Sequence, residues 1–302
     1  MAQPADPLHV FHALDSGLAA AVAAAAPFTV HVARGHAGGT GIVWDDDLVI
    51  TSNFHAPDRT SVGIAVTDGD LDTRDAEVIG RDSGTDVALL RVSGGGLTKA
   101  TFRDASLAVG NLALAIGRPG RTARASLRAI GVLGPDIRTP HNGHLDRYIE
   151  SDRQIPRGFA GGPLVDADGK VIGMNTRTLL RGADLCVPVE TLRRVVGELQ
   201  THGGVRRGYL GVGVVPAALP AQVAQTIGRD RGALVSSVED GGPAAAAGIM
   251  VGDLLVEIDG VAVTGPVSLR TLLGDRPSAS VEVVLVRGGA KQTLTATLGV
   301  KA

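Results

Sequence analysis

Short apolar runs, several of them alternating with polar residues, recur along the first two thirds of the chain. They are "FTVHVA" at 28–33, "TGIVW" at 40–44, "LVITS" at 48–52, "VGIAVT" at 62–67, "VALLRV" at 87–92 and "NLALAIG" at 111–117. Gly, Asp and Pro separate them. β-branched runs of this length with turn residues between them predict the many short strands of an antiparallel barrel or sandwich. The pattern continues through "VIGMNT" at 171–176 and then changes period. In "PVETLRRVVGELQTHGG", 188–204, Leu192, Val195, Val196 and Leu199 share one helical face and two glycines stop the helix. A boundary is expected at 202–207.

Beyond the short basic-glycine hinge "GGVRRG", 203–208, the pattern becomes mixed. "GYLGVGVV" at 208–215, "GALVSSV" at 232–238, "DLLVEIDG" at 253–260 and "VEVVLV" at 281–286 read as strands, with helices expected over "PAALPAQVAQTI", 216–227, and "PVSLRTLLG", 266–274. At the other end, "SGLAAAVAAAAPF", 16–28, reads as a surface helix ending at Pro27. The glycine-rich "GHAGGTG" and "GGGLTK" read as hairpin turns: the first leads into a strand, and the second lacks the GK[ST] ending and following helix of a phosphate loop.

Composition narrows the function classes. A chain of 302 residues suits about two or three domains, and 44% hydrophobic against 20% charged residues supplies a sizeable core. Aromatics are only 3%, so that core must be Val, Leu, Ile and Ala. A net charge of −2 and a pI near 6.4 provide no long-range field for nucleic acid or an anionic membrane. The single cysteine, Cys186, excludes an internal disulfide and a thiolate metal cluster. No metal or other cofactor is expected. No basic residue precedes the N-terminal helix, no small-residue cleavage motif follows it, and no apolar run reaches the roughly 18 residues that span a bilayer, so a soluble chain without a membrane span is expected. The compartment stays open: cytoplasmic if Met1 is the native start, periplasmic or otherwise extracytoplasmic if a signal has been removed.

The chemistry concentrates in "PRGFAGGPLVDADGKVIGMNT", 156–176. Glycines crowd a turn, a short apolar strand follows, and Ala160 stands in the middle of the turn. Acyl transfer by serine needs a nucleophile on such a turn, backbone N–H donors for the oxyanion, a histidine to move the proton and a carboxylate to orient it. "GFAGGPL" resembles the GNSGGPL turn of trypsin-like serine proteases, specifically of the HtrA (DegP/DegS-type) family. "DSGTDVALLRV" is similar to that family's TD-L-A-V-L-x-V segment. "GTGIVWDDDLVITSNFHAPD" resembles its GSG-strand-TNNHVV segment, "ALAIGRPG" with "ASLRAIGVLG" its A-I-G-N-P-x-G segment and following strand, and "LCVPVETLRRVV" the strand and helix that close its protease domain.

The resemblance implies Asp86 as the orienting carboxylate, Ala160 at the nucleophile position, and an oxyanion hole from the amides of Gly158 and Ala160. For the histidine two settings exist. If Thr51 is set on the family threonine, the position falls on Phe54; if Ser52 is set there, it falls on His55, which keeps the motif's Asn as well, and this is the favoured setting. Ile155 is implied near the first specificity pocket with Thr176 on the neighbouring strand, an apolar wall suited to small aliphatic side chains. A methyl group cannot attack a carbonyl, so the chain as written is expected to be inactive. It is either a Ser-to-Ala variant of an active enzyme or a natural pseudoprotease that binds peptides as an adaptor or holdase.

"RRGYLGVGVV" followed by "GALVSSVEDGGPAAAAGIMVGDLLVEIDGVAV" resembles a PDZ domain of the HtrA type. The resemblance implies that Tyr209, Leu210, Gly211 and Val212 form the loop that captures a peptide carboxylate while the peptide adds a strand to the sheet. The fold class expected is therefore mainly β, a chymotrypsin-like double β-barrel protease domain followed by a small α/β PDZ domain. Residues 1–12 are expected as a tail, 13–203 as the protease domain and 204–302 as the PDZ domain. Partners implied are unfolded proteins or C-terminal peptides, and a homotrimer.

Overall fold

A computed structural model of the chain describes residues 7–34, 37–57, 59–67, 69–219, 221–274 and 276–301. The chain divides into two compact units, Met1–Gly204 and Val205–Ala302.

In the first unit, β1 (Thr29–Arg34), β2 (Ala37–Asp45), β3 (Leu48–Ser52), β4 (Arg59–Thr67), β5 (Asp70–Asp82) and β6 (Val87–Val92) close into a barrel in the order β1-β2-β3-β6-β5-β4. Strands β7 (Leu112–Gly117) and β8 (Arg124–Gly134) open a second barrel. After the small hairpin β9 (Ile137–Arg138) and β10 (His144–Leu145), that barrel is completed by β11 (Tyr148–Ser151), β12 (Pro163–Val165), β13 (Val171–Leu180) and β14 (Ala183–Pro188), in the order β11-β14-β13-β12-β7-β8. Closure leaves no free sheet edge. This is the chymotrypsin-like double barrel. Its cores are aliphatic: Ile42, Ile50, Leu89 and Leu90 are fully buried in the first barrel, and Ile116, Ile130, Leu164 and Met174 in the second.

Two helices flank the barrels. Helix α2 (Val189–His202) buries Leu192, Val195, Val196 and Leu199 and ends at Gly203, whose φ of 72° lets its N–H return to Leu199 O. Helix α1 (Pro7–Ala25) starts earlier than the sequence pattern suggests, so the tail expected over 1–12 is helical from residue 7. Only its C-terminal end packs down: Ala21, Ala25 and, one turn on, Phe28 are buried, whereas Val10, Phe11 and Leu14 are exposed. With the turn that follows, this helix is long and apolar enough to cross a membrane by length and composition, which corrects the expectation that no segment reaches that length. The polar residues His9, His12, Asp15 and Ser16 break the run in sequence without making the whole segment polar.

The run "GHAGGTG" begins where β1 and β2 join as a hairpin, with Arg34 opposite Ala37, but extends beyond a turn, because Gly38, Gly39 and Gly41 lie inside β2. The reason is crowding: a Cβ at Gly38 would stand 2.1 Å from Pro119 O, where the β7–β8 connection crosses the strand.

The second unit is a small mixed α/β domain. A sheet runs β16 (Val212–Ala218), β17 (Arg231–Val238), β18 (Leu254–Ile258), β20 (Ser280–Arg287), β21 (Ala290–Thr297), with β19 (Val261–Ala262) paired to β18. A separate pair is formed by β15 (Arg207–Tyr209) and β22 (Gly299–Lys301), and α3 (Ala221–Ile227), α4 (Pro243–Ala246) and α5 (Pro266–Gly274) complete the unit. The helix expected over 216–227 is thus only its second half. Residues 216–218 extend β16 and pair with Arg231–Ala233, and β16 is an edge strand, where a proline such as Pro216 is tolerated.

Candidate active site

Strand β3 ends at Ser52 and the chain enters a tight 3-10 turn, Asn53–His55. The turn is anchored on the start of β6. Asn53 N–H donates to Asp86 O at 2.9 Å, Phe54 N–H donates to Asp86 Oδ1 at 2.9 Å, and Arg81 Nη1 donates to Asn53 Oδ1 at 3.1 Å and Ala56 O at 2.8 Å. Asp86 itself is 2% exposed and holds a φ of 59°, a left-handed conformation that residues with a side chain seldom adopt. The Ser52 hydroxyl lies 3.0 and 2.8 Å from its two oxygens, and the Thr176 hydroxyl donates to Oδ2 at 2.6 Å. A buried carboxylate needs such donors, and together they fix its direction.

Phe54 thus reaches Asp86 through its backbone, while its ring is 62% exposed. The ring lines a hollow of about 400 Å³ beside the carboxylate, with Asn53, Ser83, His141 and Thr178. The side chain of His55, the favoured histidine, lies outside the described residues.

The turn around Ala160 is built where the two barrels meet. Gly158 and Gly161 take φ of 82° and 84°. From the first barrel, the Thr40 hydroxyl donates to Gly158 O at 2.6 Å while accepting Arg118 N–H at 2.8 Å. From the second, Gly161 N–H donates to Asn175 O at 2.8 Å. A side chain at Gly161 is excluded, since its Cβ would stand 2.3 Å from Thr40 O. Phe159 anchors the turn from beneath: it is buried in the second barrel's core, its ring so close to Gly117 that a Cβ there would lie 2.6 Å away. Ala160 is 3% exposed. Among the described residues, neither Gly158 N–H nor Ala160 N–H donates to any other group. Two uncommitted amides flanking Phe159 can receive an oxygen from a ligand. Nothing at position 160 can attack one.

Ile155 is buried, and its N–H donates to Asp184 Oδ2 at 2.7 Å. Thr176 spends its hydroxyl on Asp86. Cys186 is buried in the same barrel, and burial pushes its thiol far above the ordinary value, which leaves it unreactive.

Residues 39–174 match the trypsin-like peptidase domain and residues 208–298 the PDZ domain. A protein of Halomonas elongata described as a probable periplasmic serine endoprotease DegP-like is 32% identical over 270 residues, covering 86% of this chain and 56% of that protein. Among solved structures, an HtrA-type protease AlgW with decapeptide superposes with a TM-score of 0.70 at 25% identity, over 94% of this chain and 99% of that one. The same protease with a tripeptide gives 0.67 at 28% identity, over 94% and 97%. The chain is a trypsin-like peptidase domain followed by a PDZ domain, similar over most of its length to HtrA-type proteases. It spans about half the length of the curated relatives it matches.

In this HtrA-type chain the PDZ loop has a matching arrangement. Leu210 O accepts Ala244 N–H and Gly211 O accepts Glu239 N–H, both at 2.8 Å, whereas the N–H groups of Leu210 and Gly211 make no hydrogen bond among the described residues. Gly211 has a φ of 77°. Tyr209 ends β15 and Val212 begins β16, whose free edge adjoins α5. Sequence reasoning missed Ser52, Thr40 and Phe159 as parts of the catalytic region. A hydroxyl at the end of a strand and a phenylalanine between Gly158 and Ala160 carry no signal until the barrels are closed around them.

Proposed function

We propose that the chain carries the peptide-binding and catalytic framework of an HtrA-type serine endopeptidase with the nucleophile absent, so that it holds polypeptides without hydrolysing them. In this reading His55 is the general base, Asp86 orients it, Ala160 occupies the nucleophile position, and the amides of Gly158 and Ala160 form the oxyanion hole. The observation that carries the reading is the Asp86 carboxylate held by Ser52, Phe54 N–H and Thr176, close to a glycine turn whose two amides are uncommitted. A scaffold that keeps the orienting carboxylate and the amides retains parts that bind a carbonyl, while Ala160 supplies no hydroxyl to attack it. Loss of the nucleophile in such a site costs on the order of 10⁶-fold in turnover.

The PDZ unit, through Tyr209, Leu210, Gly211 and Val212, takes the C-terminal carboxylate of an unfolded or tagged protein, with the peptide adding to the edge of β16. The relatives named periplasmic support an extracytoplasmic site of action, with α1 as a signal or anchor. A homotrimer fits the family, and the exposed Val10, Phe11 and Leu14 offer a surface for it; a monomer mass by light scattering would remove this part.

Ala160→Ser is the deciding variant. Casein cleavage by Ala160→Ser, absent from the chain as written, supports an endopeptidase lacking only its hydroxyl. A folded Ala160→Ser protein without cleavage supports the adaptor, whose function is binding alone.

A further inference from the structure

Strand β8 places alternate residues inside the second barrel. Ile130 faces in, and so, at the same parity, does Arg128, which is 2% exposed. Its Nη2 donates to Gln154 O at 2.9 Å, directly before Ile155. Its Nε and Nη1 are buried and have no hydrogen-bond partner among the described residues. The two acids whose charges act on it are engaged elsewhere: Asp152 pairs with Arg153 at 3.4 Å, and Asp184 accepts Ile155 N–H and faces Arg177 at 3.5 Å. No carboxylate among the described residues comes within ion-pair distance of Arg128.

A guanidinium buried without an anion is among the most expensive arrangements a fold can hold, because the charge has left water and found nothing in exchange. Burial accordingly pushes the Arg128 guanidinium below its ordinary value, with Asp152 and Asp184 only partly opposing this. An arginine is not deprotonated in a protein, so the charge remains. Nε–H and Nη1–H point from different sides of the guanidinium, and either can donate a charge-assisted hydrogen bond to a carboxylate oxygen. The segment above it, Gln154–Ile155, leads into the Ala160 turn.

We propose that Arg128 is a specificity-determining residue, forming beneath Gln154–Ile155 a subsite for the carboxylate of an acidic side chain, aspartate or glutamate, of a peptide bound beside Ala160. This rests on the peptide-binding reading of the Ala160 site and refines it: the subsite selects an anion where the Ile155 wall alone would select small aliphatic side chains.

The test uses the full chain with Ala160 in place. Fluorescein-labelled, C-terminally amidated nonapeptides of alanine and valine, with one central glutamate or glutamine, are titrated by anisotropy; amidation removes the terminal carboxylate that a PDZ loop captures. Glutamate is expected to bind at least about 10-fold tighter than glutamine, as one charge-assisted pair provides. Arg128→Met should erase the difference and keep or raise the melting temperature. Arg128→Lys should keep part of the preference.

Equal affinities, a preference that survives Arg128→Met, or no binding of either peptide overturns the proposal. A glutamine peptide with a free C-terminus, compared between the two proteins so that PDZ binding cancels, reads the other source of a carboxylate. If Arg128→Met weakens only that peptide, the acidic-side-chain assignment is overturned. Hydrolysis by Ala160→Ser separates this inference from the enzyme reading. Cleavage without a glutamate preference in rate or affinity defeats the subsite alone; glutamate-selective binding lost in Arg128→Met, without cleavage, defeats the enzyme alone.

Discussion

Thr176 Oγ1 stands 2.6 Å from Asp86 Oδ2, joining residues 90 positions apart and tying the second barrel to the first at the candidate active site. In the Ala160→Ser background, Thr176→Val should lower kcat by about 10- to 100-fold, the equivalent of about 1.5–3 kcal/mol for a hydrogen bond to a charged group. Thr176→Ser should restore most of it. A Thr176→Val protein with unchanged kcat and an unmoved acid limb of its pH–rate profile would show that the carboxylate is oriented without this hydroxyl.

The contact between Phe159 and Gly117 makes a second prediction. Gly117→Ala puts a Cβ about 2.6 Å from the ring, so the turn must move. Phe159→Ala leaves a cavity instead, at a cost of about 3–5 kcal/mol. Both variants should lower the melting temperature of the barrels, and in the Ala160→Ser background Gly117→Ala should depress kcat more than its stability loss explains. Wild-type turnover in a folded Gly117→Ala protein would separate the turn from its anchor.

In the PDZ unit, Gly211→Ala forces a side chain into a left-handed conformation, at about 1–2 kcal/mol, beside Glu239. Affinity for a peptide with a free C-terminus should fall about 10-fold, and amidation of the peptide should abolish the difference between the two proteins. The strand added to β16 should pair no further than Val215, because Pro216 has no N–H to offer. Lengthening the peptide beyond about five residues should therefore add little, as calorimetry can read.

Asp253 and Arg287 carry a pH dependence. Burial alone would raise the Asp253 carboxyl, but the bidentate Arg287 contacts, both at 2.7 Å, and the Met250 N–H outweigh it and hold the group below its ordinary 3.8. A carboxyl depressed in the folded state contributes stability that is fully present above the unfolded value and is lost as pH falls through the folded one. Amide exchange in β18 should accelerate relative to that in an Asp253→Asn variant as pH drops below about 4. Parallel behaviour of the two proteins down to pH 3 would mean that the pair does not couple to folding.

Much of this was legible in the chain itself. Period-two apolar runs and glycine turns predicted a β-rich first part and a mixed α/β second module, and the one-faced stripe Leu192, Val195, Val196, Leu199 predicted α2, because burial on one side of an element leaves its period in the sequence. The order of "GFAGGPL", "TDVALLRV" and the PDZ segments carried the family, because those glycines and that aspartate occupy backbone conformations few residues tolerate. Local order could not decide what distant strands bring together. Thr40 on Gly158 O, Thr176 and Ser52 on Asp86, Phe159 against Gly117, and Arg128 without an anion each depend on barrel closure, which sets residues far apart in sequence within hydrogen-bonding or van der Waals reach. The same alternation that puts Ile130 in the core puts Arg128 there, and only the surrounding strands determine that its charge meets no carboxylate among the described residues.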